Sequence, residues 1–371
     1  MVGPSPPPGQ AATAPHATNG GGRSHTPVAR AIAAAMRVLA ILTLRNEGSF
    51  LLEWLAHHRA AGVTDFLVFS NDCTDGTDLM LDRLAALGWL THIRNDGPHD
   101  KGPQWQALRA AAGHPLTRAA DWILVLDIDE FVNVHVGDRT IPALLGALPE
   151  ADAITLTWRM FGNAGVVHLT DAPVIETFTR AAPDPLEWPW RAVMFKTLYR
   201  NDGRFGQPGV HRPKGEVRDS QRWFDSAGRP LPGGPQRIFS TLGQPHYALA
   251  QMNHYALGSM EGYLVKADRG RANRDASAFD LGYWVDRNLC EAEDRSILAL
   301  SSHGLRADLM ADATLARLHH AAFDWRRARF QALMRDEAYR ALFGRLLMTP
   351  PTRHLSAAEA RLIWTHALPA R

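Results

Sequence analysis

The sequence predicts an α/β protein: a mixed, mostly parallel sheet flanked by helices, followed by a C-terminal helical extension. Three observations lead there. From Arg37 onward, short apolar runs alternate with amphipathic stretches, the pattern of strand-helix-strand units. Gly62 and Gly88 stand where the first two amphipathic stretches stop, as helix-ending glycines do. The apolar run Trp122 to Leu126 ends in Asp127-Ile128-Asp129-Glu130-Phe131, which sets two acids at the carboxyl edge of a sheet, where open α/β folds bind ligands.

Residues 1–35 are rich in Pro, Gly, Ala, Ser and Thr and contain no Asp or Glu, so this segment is predicted to be disordered. Met36-Arg37-Val38 opens directly into a buried strand, and Met36 is read as the true start; no small-residue cleavage site comes after the basic and apolar residues before it. Val38 to Leu44 reads as the first strand, then a helix from Phe50 to Ala61, a strand from Asp65 to Ser70, and a helix from Thr77 to Leu87. Trp89 to Ile93 is the third strand. A loop from Asn95 to Pro103 leads into a helix through Ala112, and Asp121 to Leu126 is the fourth strand. Ala153 to Trp158 and Val193 to Tyr199 read as further strands. After them comes a long Gly/Pro/Arg-rich region from Arg200 to Pro245, of the kind that forms lids or insertions. The main α/β domain is placed at 36–285 and the helical extension at 286–371, with one helix from Asp312 to Met348 and a last one opened by the capping box Ser356-Ala-Ala-Glu359.

With 371 residues, 46% of them hydrophobic, the chain buries one large core or a core and an annex. A net charge of +2 gives no broad positive field, so nucleic acid is not an expected partner. The basic residues are almost all Arg; only Lys101, Lys196, Lys214 and Lys266 are lysines. Two cysteines make neither a disulfide framework nor a zinc site, which points to a reducing, cytoplasmic setting. The apolar run Ala31 to Leu44 is cut by Arg37 and is too short to span a bilayer, leaving peripheral association with the inner face of the membrane open.

Asp127 and Asp129 at spacing two share a face if the segment is extended, and two hard oxygen ligands on one face suit Mg²⁺ or Mn²⁺. The plain alternative is a strand ending in polar turn residues. Further motifs run in order along the chain: Leu44-Arg45-Asn46-Glu47-Gly48, Leu52-Glu53-Trp54, His57-His58, Asn71-Asp72-Cys73-Thr74-Asp75-Gly76-Thr77, Pro103-Gln104-Trp105, Trp158-Arg159-Met160-Phe161-Gly162, His211-Arg212-Pro213, and Asn253-His254-Tyr255 with Ser259 and Lys266.

Over about Val38 to Ile297 this set resembles glycosyltransferase family 2, in particular the subgroup related to family 92. The resemblance implies a Rossmann-like GT-A fold and a metal-dependent transfer of sugar from a nucleotide-diphosphate sugar to a glycan or glycoconjugate, in bacterial surface polysaccharide synthesis. It implies that Arg45, Asn46, Glu47, Asn71, Asp72, Lys101 and Asp127 line the donor site, and that Asp127, Asp129 and His254 hold the metal. Asn46 and Asp75 read equally as caps or turn residues, Lys101 as a solvated charge, and His211 as a rival to His254. Inverting transfer needs a carboxylate base. Candidates are Glu187, Glu176 and Asp219, with Glu216 also in range; Glu187 is preferred for its neighbours Trp188 and Trp190, which read as a sugar platform or as core. Arg159 and Lys196 read as phosphate contacts or structural ion-pair partners. Two other functions compete: a phosphohydrolase of the haloacid dehalogenase type, whose first motif is also an apolar strand ending Asp-x-Asp, and a non-catalytic carbohydrate-binding protein of the same fold.

Overall fold

The structure is a computed structural model that describes Met1, Gly3 and residues 36–215, 220–270 and 280–367. The disorder expected for 1–35 therefore falls, apart from Met1 and Gly3, outside the described residues, as do the base candidates Glu216 and Asp219. Residues 1–35 and 36–371 separate as two units, and every element named below belongs to the second.

Among the described residues, nine strands form one sheet: β1 Val38–Leu44, β2 Asp65–Ser70, β3 Thr91–Arg94, β4 Trp122–Leu126, β5 Glu130–Val134, β6 Ala153–Met160, β7 Phe195–Arg200, β8 Trp223–Asp225 and β9 Ala250–His254. The spatial order is β3-β2-β1-β4-β7-β6-β9-β5, with β8 beside β6. Pairs within β3-β2-β1-β4, and β6 with β8 and β9, are parallel; β7 runs against β4 and β6, and β5 against β9. This is the mixed, mostly parallel sheet the sequence predicts. Alternation along β1 explains the two layers: Val38, Ala40 and Leu42 enter the core on one face, Leu39 and Ile41 the core on the other.

From β1 the chain winds outward to β2 and β3, then returns to place β4 on the other side of β1. The order reverses between β1 and β4, which opens a crevice at their carboxyl ends. Helix α1, Gly48–Ala60, is buried around much of its girth rather than on one face. Trp54 donates from its indole to the Glu130 carbonyl at 3.0 Å, and His57 lies 2.8 Å from the Val132 carbonyl, tying α1 to β5. Helices α2, Thr77–Ala86, and α3, Pro103–Ala112, complete the first units.

Helix α4, Met260–Arg269, comes after β9. The expected helical pattern from 286 begins later, after a two-residue ladder and a 3₁₀ turn, and the single helix expected over 312–348 is divided. Helix α5, His303–Ala311, precedes that span, whose parts are α6 Ala313–Leu333 and α7 Glu337–Met348. Asp312 and Asp336 accept backbone N–H groups at the starts of α6 and α7, and the Asp336 cap makes the division. The capping box opens α8, Ala357–Ala367, as predicted. Helix α6 approaches α1 so closely that a Cβ on Gly48 would sit 2.9 Å from the Ala322 Cβ.

Glu53 fastens α1 to a single-turn helix, Val174–Thr177, accepting the N–H groups of Val174 at 2.8 Å and Ile175 at 3.1 Å. Burial pushes its carboxyl up to about 7, against these hydrogen bonds. A raised acid pKa means the folded state holds the proton more tightly, so this group's contribution to stability falls as pH rises between its unfolded and folded values. Urea unfolding of wild type and Glu53→Gln from pH 4.5 to 8 is expected to show the wild type losing of order 3 kcal/mol relative to the variant.

Candidate functional site

The four loops at the carboxyl ends of β1 to β4 are stitched into one rim. Arg45 donates from Nε to the Asp72 carbonyl at 3.2 Å, and Asn46, with φ of 53°, accepts the Thr74 N–H at 2.7 Å. Asp72, also left-handed with φ of 47°, accepts the Gly97 N–H, while its own N–H goes to Asp96 at 2.7 Å. Gln104, in the first turn of α3, donates to Asp127 Oδ1 at 3.1 Å. Glu47 is buried and pairs with Arg269 of α4 and Arg326 of α6, which also donate to the carbonyls of Arg45 and Asn46. The shape of the first loop is thus held from the C-terminal helices.

Asp127-Ile128-Asp129 forms a tight turn between β4 and β5, with the Glu130 N–H donating to the Asp127 carbonyl at 3.1 Å. This corrects the expectation of an extended segment carrying both acids on one face. Asp127 turns to Lys196 of β7, whose Nζ lies 2.8 Å from Oδ2 and 3.3 Å from Glu130 Oε2. Asp129 turns to Lys266 of α4 at 2.6 Å, and that ammonium also donates to the Ala256 carbonyl. Two of the four lysines in the sequence therefore neutralise this one turn.

Electrostatics follow from that arrangement. Burial works against charge on Asp129, but Lys266 overcomes it and holds its carboxyl well below the usual range. Burial and the neighbouring Asp127 and Asp129 drive the Glu130 carboxyl well up, in spite of Lys196. Lys196, completely buried, stays charged because Asp127 and Glu130 outweigh its desolvation. His211, stacked edgewise on Trp158 at 5.6 Å, is lowered to about 4 by burial and then by Lys196.

Asp129 and His254 fit a divalent cation as a donor set. The imidazole Nε2 lies 3.6 Å from Asp129 Oδ2, beyond hydrogen-bond reach, and burial lowers the His254 pKa, so the neutral ring keeps a lone pair. Mg²⁺-type sites use one or two protein ligands and complete their shell from phosphates and water. Among the described residues, no group of three His, Cys, Asp or Glu side chains is gathered for a metal. A small, partly open cavity of about 70 Å³ lies against Asp129 and Lys266, lined also by Ile128, Phe131, Tyr255, Glu47 and Arg326.

Of the other donor-site residues, Asn71 is buried with its Oδ1 lacking a partner, and Lys101 is exposed on the loop before α3. Glu176 faces His303 at 3.5 Å, and Glu187 lies against Gly243. Arg159 pairs with Asp294 at 2.8 Å. The sequence alone does not reveal Gln104 as a partner of Asp127, nor Arg269 and Arg326 as members of the site. No local signal marks these arginines, because their partner lies more than two hundred residues earlier.

Residues 41–181 match glycosyltransferase family 92, a span that includes the acid turn but ends before Lys196, His254 and Lys266. A family 92 protein of Ricinus communis is 25% identical over 144 residues, covering 37% of this chain and 25% of that protein. One from Oryza sativa subsp. japonica is 26% identical over 149 residues, covering 38% and 24%. The chain thus spans about a quarter of the length of these curated relatives. Among solved structures, S. aureus TarS overlaps 45% of this chain and 28% of its own, at 16% identity and a TM-score of 0.28. Glucosyl-3-phosphoglycerate synthase of Mycobacterium tuberculosis overlaps 35% and 48%, at 18% and 0.26. Overlaps this partial carry no argument about function.

Lys196→Met leaves the buried Glu130 and the part-exposed Asp127 without their cation; breaking a fully buried ion pair costs about 3–5 kcal/mol, and the exposure of Asp127 lowers the expected loss to about 1–3 kcal/mol. Urea unfolding at neutral pH is expected to show a loss of that size.

Proposed function

We propose that this protein is a GT-A-type glycosyltransferase of the family 2 and family 92 kind, which moves a sugar from a nucleotide-diphosphate sugar to a glycan or glycoconjugate with inversion. The observation that carries the reading is the acid turn Asp127–Glu130 at the crevice between β1 and β4, inside the segment that matches family 92. The phosphohydrolase reading shares the strand ending Asp-x-Asp but not the match to family 92. The setting we propose is bacterial surface polysaccharide synthesis, in the cytoplasm at the inner face of the membrane. Among the described residues no helix is long and apolar enough to cross a membrane.

In this mechanism the rim of Arg45, Asn46 and Asp72 receives the nucleoside, and the unpartnered Asn71 Oδ1 accepts a hydrogen bond from its base or ribose. Lys101 and the amino terminus of α3 favour the diphosphate. Mn²⁺ or Mg²⁺ held by Asp129 and His254, with Asp127 beside them, would neutralise charge on the departing diphosphate. Lys196 fixes the direction of Asp127, and Gln104 fixes its other oxygen. A carboxylate, for which we favour Glu187, takes the acceptor hydroxyl proton as the new bond to the sugar C1 forms and the bond from C1 to the phosphate oxygen breaks.

Isothermal titration of UDP and GDP with and without Mn²⁺ tests the reading. At least one nucleotide is expected to bind in a Mn²⁺-dependent manner, and Asp129→Ala to abolish that dependence while leaving the fold intact by circular dichroism. Lys266→Met removes the ammonium that competes for Asp129, and should tighten Mn²⁺ binding without nucleotide by about tenfold or more, read by electron paramagnetic resonance.

A further inference from the structure

A second depression, open and of about 650 Å³, lies against β6, β7 and β8. Its wall is the segment 229–246, anchored where the Ser240 N–H donates to the Val193 carbonyl at 2.8 Å and Ser240 Oγ meets Thr157 Oγ1 at 2.7 Å. Phe195, Phe239 and Trp364 line it. Trp364, from α8, packs edgewise on Trp188 at 5.6 Å, and Trp190 lies 5.0 Å from Phe239, so the Trp pair singled out in the sequence belongs to an aromatic wall shared with the groove.

The polar lining is of the planar, hydrogen-bonding kind. Gln236 and Gln244 present amides, and Arg229 is already committed to Asp225 at 2.7 Å and to His246 at 3.0 Å. Two further guanidinium groups lie over aromatic rings: Arg237 over Phe239 at 5.4 Å and Arg191 over Trp190 at 4.4 Å. Both arginines are exposed. Arg229 with Asp225 is neutral, and Glu187 beside Gly243 offsets Arg191 at the margin, so Arg237 gives the groove its positive balance.

Aromatic faces stack against the C–H face of a pyranose, amides bind its hydroxyls, and exposed guanidinium groups bind carboxylates or phosphates bidentately. The groove lies across β7 from the acid turn. Phe195 faces the groove while the next residue, Lys196, points to the opposite side of β7 and holds Asp127. Glu187, the favoured base, stands against Gly243 of the same wall.

We propose that this groove binds an acidic carbohydrate chain, the extended part of the acceptor, a reading that rests on the glycosyltransferase assignment. Specificity for the acceptor then resides in the segment 229–246 and in α8, beyond the part of the chain that matches family 92.

Native affinity electrophoresis in gels containing polygalacturonate or dextran tests this without nucleotide or metal. The wild type is expected to be retarded by polygalacturonate and not by dextran. Trp364→Ala, which leaves the net charge unchanged, should lose most of that retardation, with the apparent Kd rising about tenfold or more. Arg237→Glu, at an exposed side chain, should do the same and guards against a packing defect in α8. Titration of the same variants with UDP or GDP and Mn²⁺ should match the wild type. No retardation by polygalacturonate, equal retardation by dextran, or retardation unaffected by Trp364→Ala and Arg237→Glu would overturn the proposal. A wild type that binds polygalacturonate yet ignores nucleotides would instead count against the transferase reading.

Discussion

The tight turn Asp127–Asp129 and its two lysines are the constraint on which the rest of the site depends. Four residues at the end of a parallel strand bring three carboxyl groups into a crevice that the sheet order makes concave. Unpaired, they would repel one another in a poorly solvated place. Lys196 settles one half of the turn by holding Asp127 and Glu130 together, and Lys266 settles the other by holding Asp129. The division gives the acids different tasks. Asp127 is oriented by a fully buried cation, whereas Asp129 is held by an ammonium that keeps some contact with solvent and stands beside His254.

The C-terminal helices take part in this site rather than merely flanking it. Helix α4 supplies Lys266 to the acid turn and, three residues on, Arg269 to the loop after β1. Helix α6 adds Arg326, buried against Glu47. Positions 45–47 and 129 are thereby braced by the same pair of helices. A shift of α4 changes the loop after β1 and the acid turn together.

The first half of the fold is legible in the sequence because each buried parallel strand is a short apolar run bounded by glycines or polar loops. Val38–Leu44 and Asp65–Ser70 read to the residue. Glu130–Val134 does not read as a strand, since it comes directly after the acids without a turn marker and its partner β9 lies more than a hundred residues away. The turn between β4 and β5 is hidden for the same reason, which is why the two acids take a common face on sequence alone. In the site, the acids and His254 stand out by residue type. Their pairing with Lys196 and Lys266, and the bracing by Arg269 and Arg326, depend on tertiary approach and leave no local pattern. Asp312 reads correctly as a helix start, whereas Asp336 is outweighed by the apolar periodicity on either side of it.

Asp129 and His254 stand or fall together as the protein's half of a cation site at the crevice. Crystals grown with Mn²⁺ and UDP, with diffraction recorded at the manganese absorption edge, test this directly. An anomalous peak coordinated by Asp129 and His254 is expected, with Lys266 drawn away from the carboxylate. A peak elsewhere on the protein, or none at saturating Mn²⁺ with Lys266 still seated on Asp129, would refute the cation site.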